Sequence, residues 1–135
     1  MRHAICYIST KDQSVGKEEI LELFEYCKVE NESSGIKGIL LYSEGNFFQA
    51  LEGEKAVVIE LFENIQKDRR HHSIVQIVGE DLNHSSIDGF KVGIIQEGEK
   101  VSHELPAKYL EALKGISPDV RKSMENMLRT FIATR

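Results

Sequence analysis

The chain has 135 residues, 41% of them hydrophobic and 29% charged, with a formal net charge of −5. These values describe a single globular domain long enough to bury a core. They argue against a nucleic-acid partner, because neutralising phosphates needs clustered Lys and Arg, and only KDRRHH (67–72) approaches such a cluster. The opening MRHAICYIST has too short an apolar run for a signal peptide, and no apolar stretch is long enough to span a bilayer. A cytoplasmic protein with no membrane partner is expected.

In chain order, HAICYIS (3–9) reads as a strand with Ile5, Tyr7 and Ser9 on one face and Ala4, Cys6 and Ile8 on the other. The polar turn KDQSVGK follows. From about Lys17 to Glu30, Ile20, Leu23, Phe24 and Cys27 fall on one helical stripe, which NESSG (31–35) is expected to end. IKGILLY (36–42), the tight turn SEG and GNFFQALEG (45–53) form a hairpin. A second amphipathic helix spans EKAVVIELFENIQKD (54–68), with Val57, Val58, Leu61, Phe62 and Ile65 inward, and RRHHS breaks it. IVQIVGEDL (74–82) and GFKVGII (89–95) are a fourth and a fifth strand. The order β-α-β-β-α-β is the α+β, ferredoxin-like plan: an antiparallel sheet with two helices on one face, here lengthened at an edge by the fifth strand. After Gly98 the chain changes character. LPAKYLEALKG and SPDVRKSMENMLRTFIATR read as two C-terminal helices. Ser117 and Pro118 start the second, and Val120, Met124, Met127, Leu128 and Phe131 make its apolar stripe.

Most familiar chemistries are missing. Cys6 and Cys27 have no CxxC or metal-like spacing and read as small buried hydrophobes. His71 and His72 are adjacent, His84 and His103 are isolated, and no HxxxH or HExxH occurs, so no metal is expected. No GxSxG, GxGxxG or Walker pattern is present. A hydrolase of small acyl phosphates on this fold would need an anion-holding loop after the first strand. That loop, STKDQSVGK, offers Lys11 and Lys17 but no Arg, and it carries an Asp.

One polar residue stands out. Gln49 shares a strand face with Phe47 and Leu51, facing either solvent or a hydrogen-bonding partner in the core. In this topology the first and third strands are central neighbours, so the Tyr7 hydroxyl and the Gln49 amide can meet beneath the helices, with Asn31 near the same pocket. A Tyr–Gln bond that merely satisfies the core is one explanation. A pocket for a flat heteroaromatic ring with several donors and acceptors is the other.

On these residues the sequence resembles a BLUF domain, the blue-light sensor that uses FAD. The signs are Tyr7 in ICYIS, Asn31 four residues before the Gly of GIKGILLY, Gln49 inside GNFFQALEG, and IQKDRRHHSI (65–74), which is similar to the family's Asp-x-Arg-His region. The likeness covers roughly residues 1–95, and the C-terminal helices are like those of short BLUF proteins without a separate output domain. It implies a flavin-binding domain over 1–97, a helical extension over 98–135, and FAD as cofactor, with FMN possible. Tyr7, Leu23, Asn31, Gln49, Ile65, Asp68, Arg70 and His71 would then bind the flavin. Asn31 would bond the ring's polar edge, and Gln49 would sit between Tyr7 and the ring. Leu23 and Ile65 would flank the ring, while Asp68, Arg70 and His71 would hold the ring or its ribityl–phosphate portion. Tyr7 and Gln49 would form a photochemical switch with no substrate turned over. Light would shift the fifth strand, and the signal would pass to an unidentified protein partner or to a second copy through the C-terminal helices. The sequence departs from the pattern at Phe90 and Val92, where the family often has Trp-x-Met. It departs again at Glu30, where many members have an uncharged or basic residue, and at Asn64, where an Arg is common. These departures keep open a light-insensitive BLUF-like interaction module.

Overall fold

The computed structural model describes residues 1–83, 87, 89–95, 121, 122, 125 and 126. Its elements are β1 (Arg2–Lys11), α1 (Lys17–Ser33), β2 (Lys37–Ser43), β3 (Asn46–Glu54), α2 (Lys55–Lys67), β4 (His71–Leu82) and β5 (Phe90–Ile95). The strands form one sheet in the order β4-β1-β3-β2-β5. The first four pair antiparallel, and β5 adds to the β2 edge in parallel. This is the α+β, ferredoxin-like arrangement with a fifth strand that the element order predicts. No helix among the described residues is long and apolar enough to cross a membrane.

Strand alternation fills both faces of the sheet. Ile5, Tyr7, Leu40, Phe47 and Leu51 point toward the helices, where they join Ile20 and Phe24 of α1 and Val58 and Phe62 of α2 in one apolar cluster. On the other face Ala4, Cys6, Ile39, Leu41, Phe48 and Ala50 are all fully buried. Glu52 is on this second face and is also fully buried. Its carboxylate accepts the Arg2 guanidinium through Nε at 3.0 Å and through Nη2, and the Ile87 N–H at 3.3 Å.

Local chemistry sets the connections. Glu44 (φ 45°) and Gly45 (φ 90°) are both left-handed, and Ser43 pairs with Asn46 across them. This is the two-residue primed turn whose twist suits a hairpin. α1 ends where Gly35 takes φ 73°, with the Ser34, Gly35 and Ile36 N–H groups donating to the carbonyls of Glu30, Glu32 and Asn31. Gly38 lies between β3 and β5, where a Cβ would stand 2.0 Å from the Ala50 carbonyl oxygen and 3.3 Å from the Phe90 ring.

Several boundaries differ from expectation, among them the end of β1, which runs on to Lys11. α1 runs to Ser33, so Asn31 is inside its last turn rather than in the segment that ends it. β4 starts at His71, taking up three of the five residues of RRHHS, the stretch that reads as a breaker. It can do so because its pairing with β1 shifts register between Ile8 and Thr10, and Ser73 adopts φ 55°. These irregularities let a polar segment keep its ladder bonds without strict alternation. β5 begins at Phe90. Residues 121, 122, 125 and 126 are helical, and Arg121 Nε is 3.7 Å from Glu125 Oε1. The rest of the predicted C-terminal pair, including Ser117, Pro118, Val120, Met124, Met127, Leu128 and Phe131, lies outside the described residues, as do His84 and His103.

Candidate functional site

Between α1, α2 and the sheet lies a cavity of about 440 Å³. Tyr7, Leu23, Asn31, Gln49, Ile65, Asp68, Arg70 and His71 all line it. The sequence-predicted set is therefore brought together in full. Tyr7, Asn31, Leu40, Phe47 and Gln49 are buried and make the inner surface, whereas Tyr26, Glu30, Glu60, Asn64 and Arg70 are exposed and make the rim.

Tyr7 and Gln49 are direct register partners on β1 and β3, which fixes both side chains over the same spot. The Tyr7 hydroxyl donates to Gln49 Oε1 in a short, buried hydrogen bond. Gln49 is thus neither on a solvent face nor bonded to the backbone. Its amide nitrogen has no hydrogen-bond partner among the described residues, so its two N–H donors are available to the cavity. Burial pushes the Tyr7 phenol far above its ordinary range, with nearby Cys27, Cys6 and Asp68 adding in the same direction. The ring is braced by Phe62, centroid to centroid 5.5 Å, and meets the edge of His71 at 6.3 Å.

Asn31 is brought to the cavity by the last turn of α1, where its own carbonyl is held by the Ile36 N–H at 2.8 Å. Only 6% of the residue is exposed. Its side-chain amide makes no hydrogen bond to another described residue. Two amides with spare donors and acceptors therefore interrupt the largely apolar inner surface of the cavity. A saturated protein core leaves no such capacity, whereas a polar-edged ring requires it. Leu23 and Cys27 from α1, and Val57, Leu61 and Ile65 from α2, supply apolar walls. Burial pushes the Cys27 thiol up to about 11, opposed by Arg70 and assisted by Asp68. A cavity of this size, flanked by aliphatic side chains and edged by amides, fits the ring system of a flavin.

At one end, Asp68 and Arg70 are engaged with each other. Arg70 Nε donates to both carboxylate oxygens at 2.9 and 3.0 Å, and the Arg70 N–H donates to Oδ1 at 3.0 Å. The hydrogen bond from Arg70 holds the Asp68 carboxyl below the usual range, and the same bond raises the guanidinium. His71 Nε2 is 2.6 Å from the Ile65 carbonyl, which can only accept, so that nitrogen carries the proton. In the neutral ring Nδ1 then accepts from the Ser9 hydroxyl at 2.8 Å. His71 thereby ties β1, the end of α2 and the start of β4 together beneath Tyr7.

Sequence reasoning did not single out Cys27, Val57, Leu61 and Phe47 as site residues, although each lines the cavity. Their signal was present: the first three sit on the inward helical stripes, and Phe47 shares the strand face of Gln49. Phe90 and Val92 face the same side of the sheet as the site but do not line the cavity. Val92 is opposite Leu40, which is opposite Gln49. The loop after β1 uses its Lys11 ammonium internally, donating to the carbonyls of Asp12 and Val15 at 3.1 and 2.7 Å. Its other cation, Lys17, opens α1 and is exposed.

Comparison with known proteins agrees with this geometry. A family model described as "BLUF: Sensors of blue-light using FAD" matches residues 3–92. The photoactivated adenylate cyclase subunit alpha of Euglena gracilis is 36% identical over 73 residues, 54% of this chain but 7% of that protein. The solved photo-activated state of BlsA is 30% identical, with TM-score 0.63, covering 73% of this chain and 72% of that one. Klebsiella pneumoniae BlrP1 with FMN and cyclic diGMP is 28% identical, with TM-score 0.63, covering 71% of this chain and 26% of that one. The chain thus spans a small part of the curated relative and of BlrP1. It belongs to the BLUF family, sensors of blue light that use FAD.

Proposed function

We propose that Tyr7, Leu23, Asn31, Gln49, Ile65, Asp68, Arg70 and His71 bind the flavin, and that the Tyr7–Gln49 pair is the light switch. The observation that carries this reading is the buried bond from the Tyr7 hydroxyl to Gln49 Oε1, with the amide nitrogen turned to the cavity. When bound, a flavin supplies a ring that absorbs blue light and becomes a strong oxidant. Tyr7 can give up an electron, but its raised pKa means that the phenol keeps its proton until the electron leaves. The proton then has one hydrogen-bonded route, through Gln49. An amide that accepts at one end and donates at the other changes its bonding when its acceptor end is protonated or when it rotates. The lit state is a rearranged set of bonds at Gln49, and no substrate is consumed.

In this reading residues 1–97 are the flavin-binding unit and 98–135 a helical extension that carries the output. Displacement at Gln49 reaches the sheet edge through Leu40 and Val92, its successive cross-strand partners. Self-association through the C-terminal helices and a protein partner in the cytoplasm complete the proposal. Cys6 and Cys27 are both free thiols, which suits a reducing compartment.

The test is the visible absorption spectrum of the purified protein in the dark and just after blue illumination. A flavin spectrum that shifts slightly red and recovers in darkness is expected. A protein that stays colourless after incubation with FAD or FMN would overturn the reading.

A further inference from the structure

His71 reaches the site only because β4 is irregular. Ile74 packs into the apolar cluster under the helices. Strict alternation would send His71, three residues earlier, to the other face of the sheet. β4 carries one extra residue where β1 runs from Ile8 to Thr10, and Ser73 is left-handed there. That bulge returns His71 to the helix side, a re-aiming that bulges often perform beside functional sites. Both ring nitrogens are then used within the protein. Nε2 donates to the Ile65 carbonyl at 2.6 Å, and Nδ1 accepts from the Ser9 hydroxyl at 2.8 Å. What the ring offers the site is contact: its centroid is 6.3 Å from that of Tyr7 and 6.3 Å from that of Phe47, both edge-on. Ser9 is 3% exposed and does not line the cavity. It pairs with Phe47 across β1 and β3, two residues along from the pairing of Tyr7 with Gln49. Among the described residues its hydroxyl has one hydrogen-bond partner, His71 Nδ1.

We propose that Ser9 is a positioning residue for the light switch. It acts through His71, whose ring, fixed at both nitrogens, holds the Tyr7 phenol so that its hydroxyl stays on Gln49 Oε1. This rests on the flavin reading above and adds a residue that lines no part of the cavity. The bond to Ile65 holds the imidazole at one point and leaves it free to swing. The bond from Ser9 is the second point. Losing one hydrogen bond shifts a conformational ratio by roughly fivefold. Without Ser9, Tyr7 therefore spends more time off Gln49, where its proton has no route through the amide.

The experiment compares the full-length, FAD-loaded protein with Ser9→Ala, His71→Phe and the double variant. His71→Phe keeps a ring beside Tyr7 and Phe47, loses both hydrogen bonds and leaves β1 unaltered. The quantities read are flavin bound per folded chain, yield of the red-shifted state per absorbed photon, and the nitrogen NMR resonances of His71 in the dark. Ser9→Ala should still load with FAD, because Ser9 does not line the cavity. Its yield should fall roughly two- to fivefold, and the Nδ1 resonance should move as it loses its donor. The double variant should be no worse than His71→Phe alone, because the two residues act as one unit. A Ser9→Ala protein that is less stable but switches with the wild-type yield would overturn the proposal and leave the flavin site intact. So would losses that multiply in the double variant. Should Ser9→Ala not fold, a wild-type yield in His71→Phe would overturn it equally. A wild type that takes up no flavin, or takes it up and shows no red shift, would overturn the flavin-switch reading itself, and the proposal with it.

Discussion

In the proposed reading Tyr7 loses an electron first and its proton afterwards, by way of the Gln49 amide. Replacing Gln49 by Leu preserves volume on the strand face and removes the proton path. Gln49→Leu should keep its flavin and show no red-shifted state after blue light, which difference spectroscopy reads directly. Tyr7→Phe deletes one hydroxyl, leaves the packing against Phe62, and should likewise retain flavin while failing to form the long-lived state. Asp68 offers a separate test in the dark. Its carboxyl is held below the ordinary range chiefly by the Arg70 hydrogen bond, so it favours the folded state above its unfolded pKa, near 4, and the advantage is lost as pH falls through the lower folded value. Asp68→Asn should therefore reduce stability at neutral pH, and the gap from the wild type should close on acidification, as followed by urea unfolding between pH 7 and pH 3. The effect should be small because Arg70 and Asp68 are both partly exposed.

At the scale of elements, the sheet depends on close backbone approach at one point. Gly38→Ala would drive a Cβ into the Ala50 carbonyl, forcing β2 away from β3 or β5. Overpacking of this kind against main chain should cost about 3 kcal/mol, visible as a lower urea midpoint, and should disturb β5 before the flavin contacts. Much of this architecture is legible in the sequence because β1, β2 and β3 obey strict alternation. The placement of Tyr7 and Gln49 on one face follows from counting by twos. β4 was harder to read. Its first residues pair with β1 across a register shift, and a left-handed Ser73 breaks the period on which strand recognition relies. The end of α1 was obscured for a related reason: Asn31 belongs to a residue type that favours termini, yet here it is buried within the last helical turn. Glu52 was unreadable as a core residue, because a carboxylate beside Phe48 and Ala50 becomes tolerable only once Arg2 and the Ile87 N–H arrive from distant parts of the chain.

For the whole molecule, that carboxylate is a junction between the first residues of the chain, the third strand and the segment leading into β5. Arg2→Met would leave the fully buried Glu52 without its guanidinium. A loss of about 3 kcal/mol is expected, measured by chemical denaturation with the flavin site still intact in the surviving folded population. The hairpin turn at Glu44 and Gly45 has an equally long reach. Because two residues set the offset between β2 and β3, the turn also decides which side of the sheet Gln49 occupies. A single codon inserted upstream of Gln49 within β3 would invert that side and strand the amide among Ile39 and Leu41, while every wall of the cavity on α1 and α2 stayed in place. Colour without photoswitching is thus the phenotype to expect from small insertions here, and a library screened only for yellow colonies would miss it.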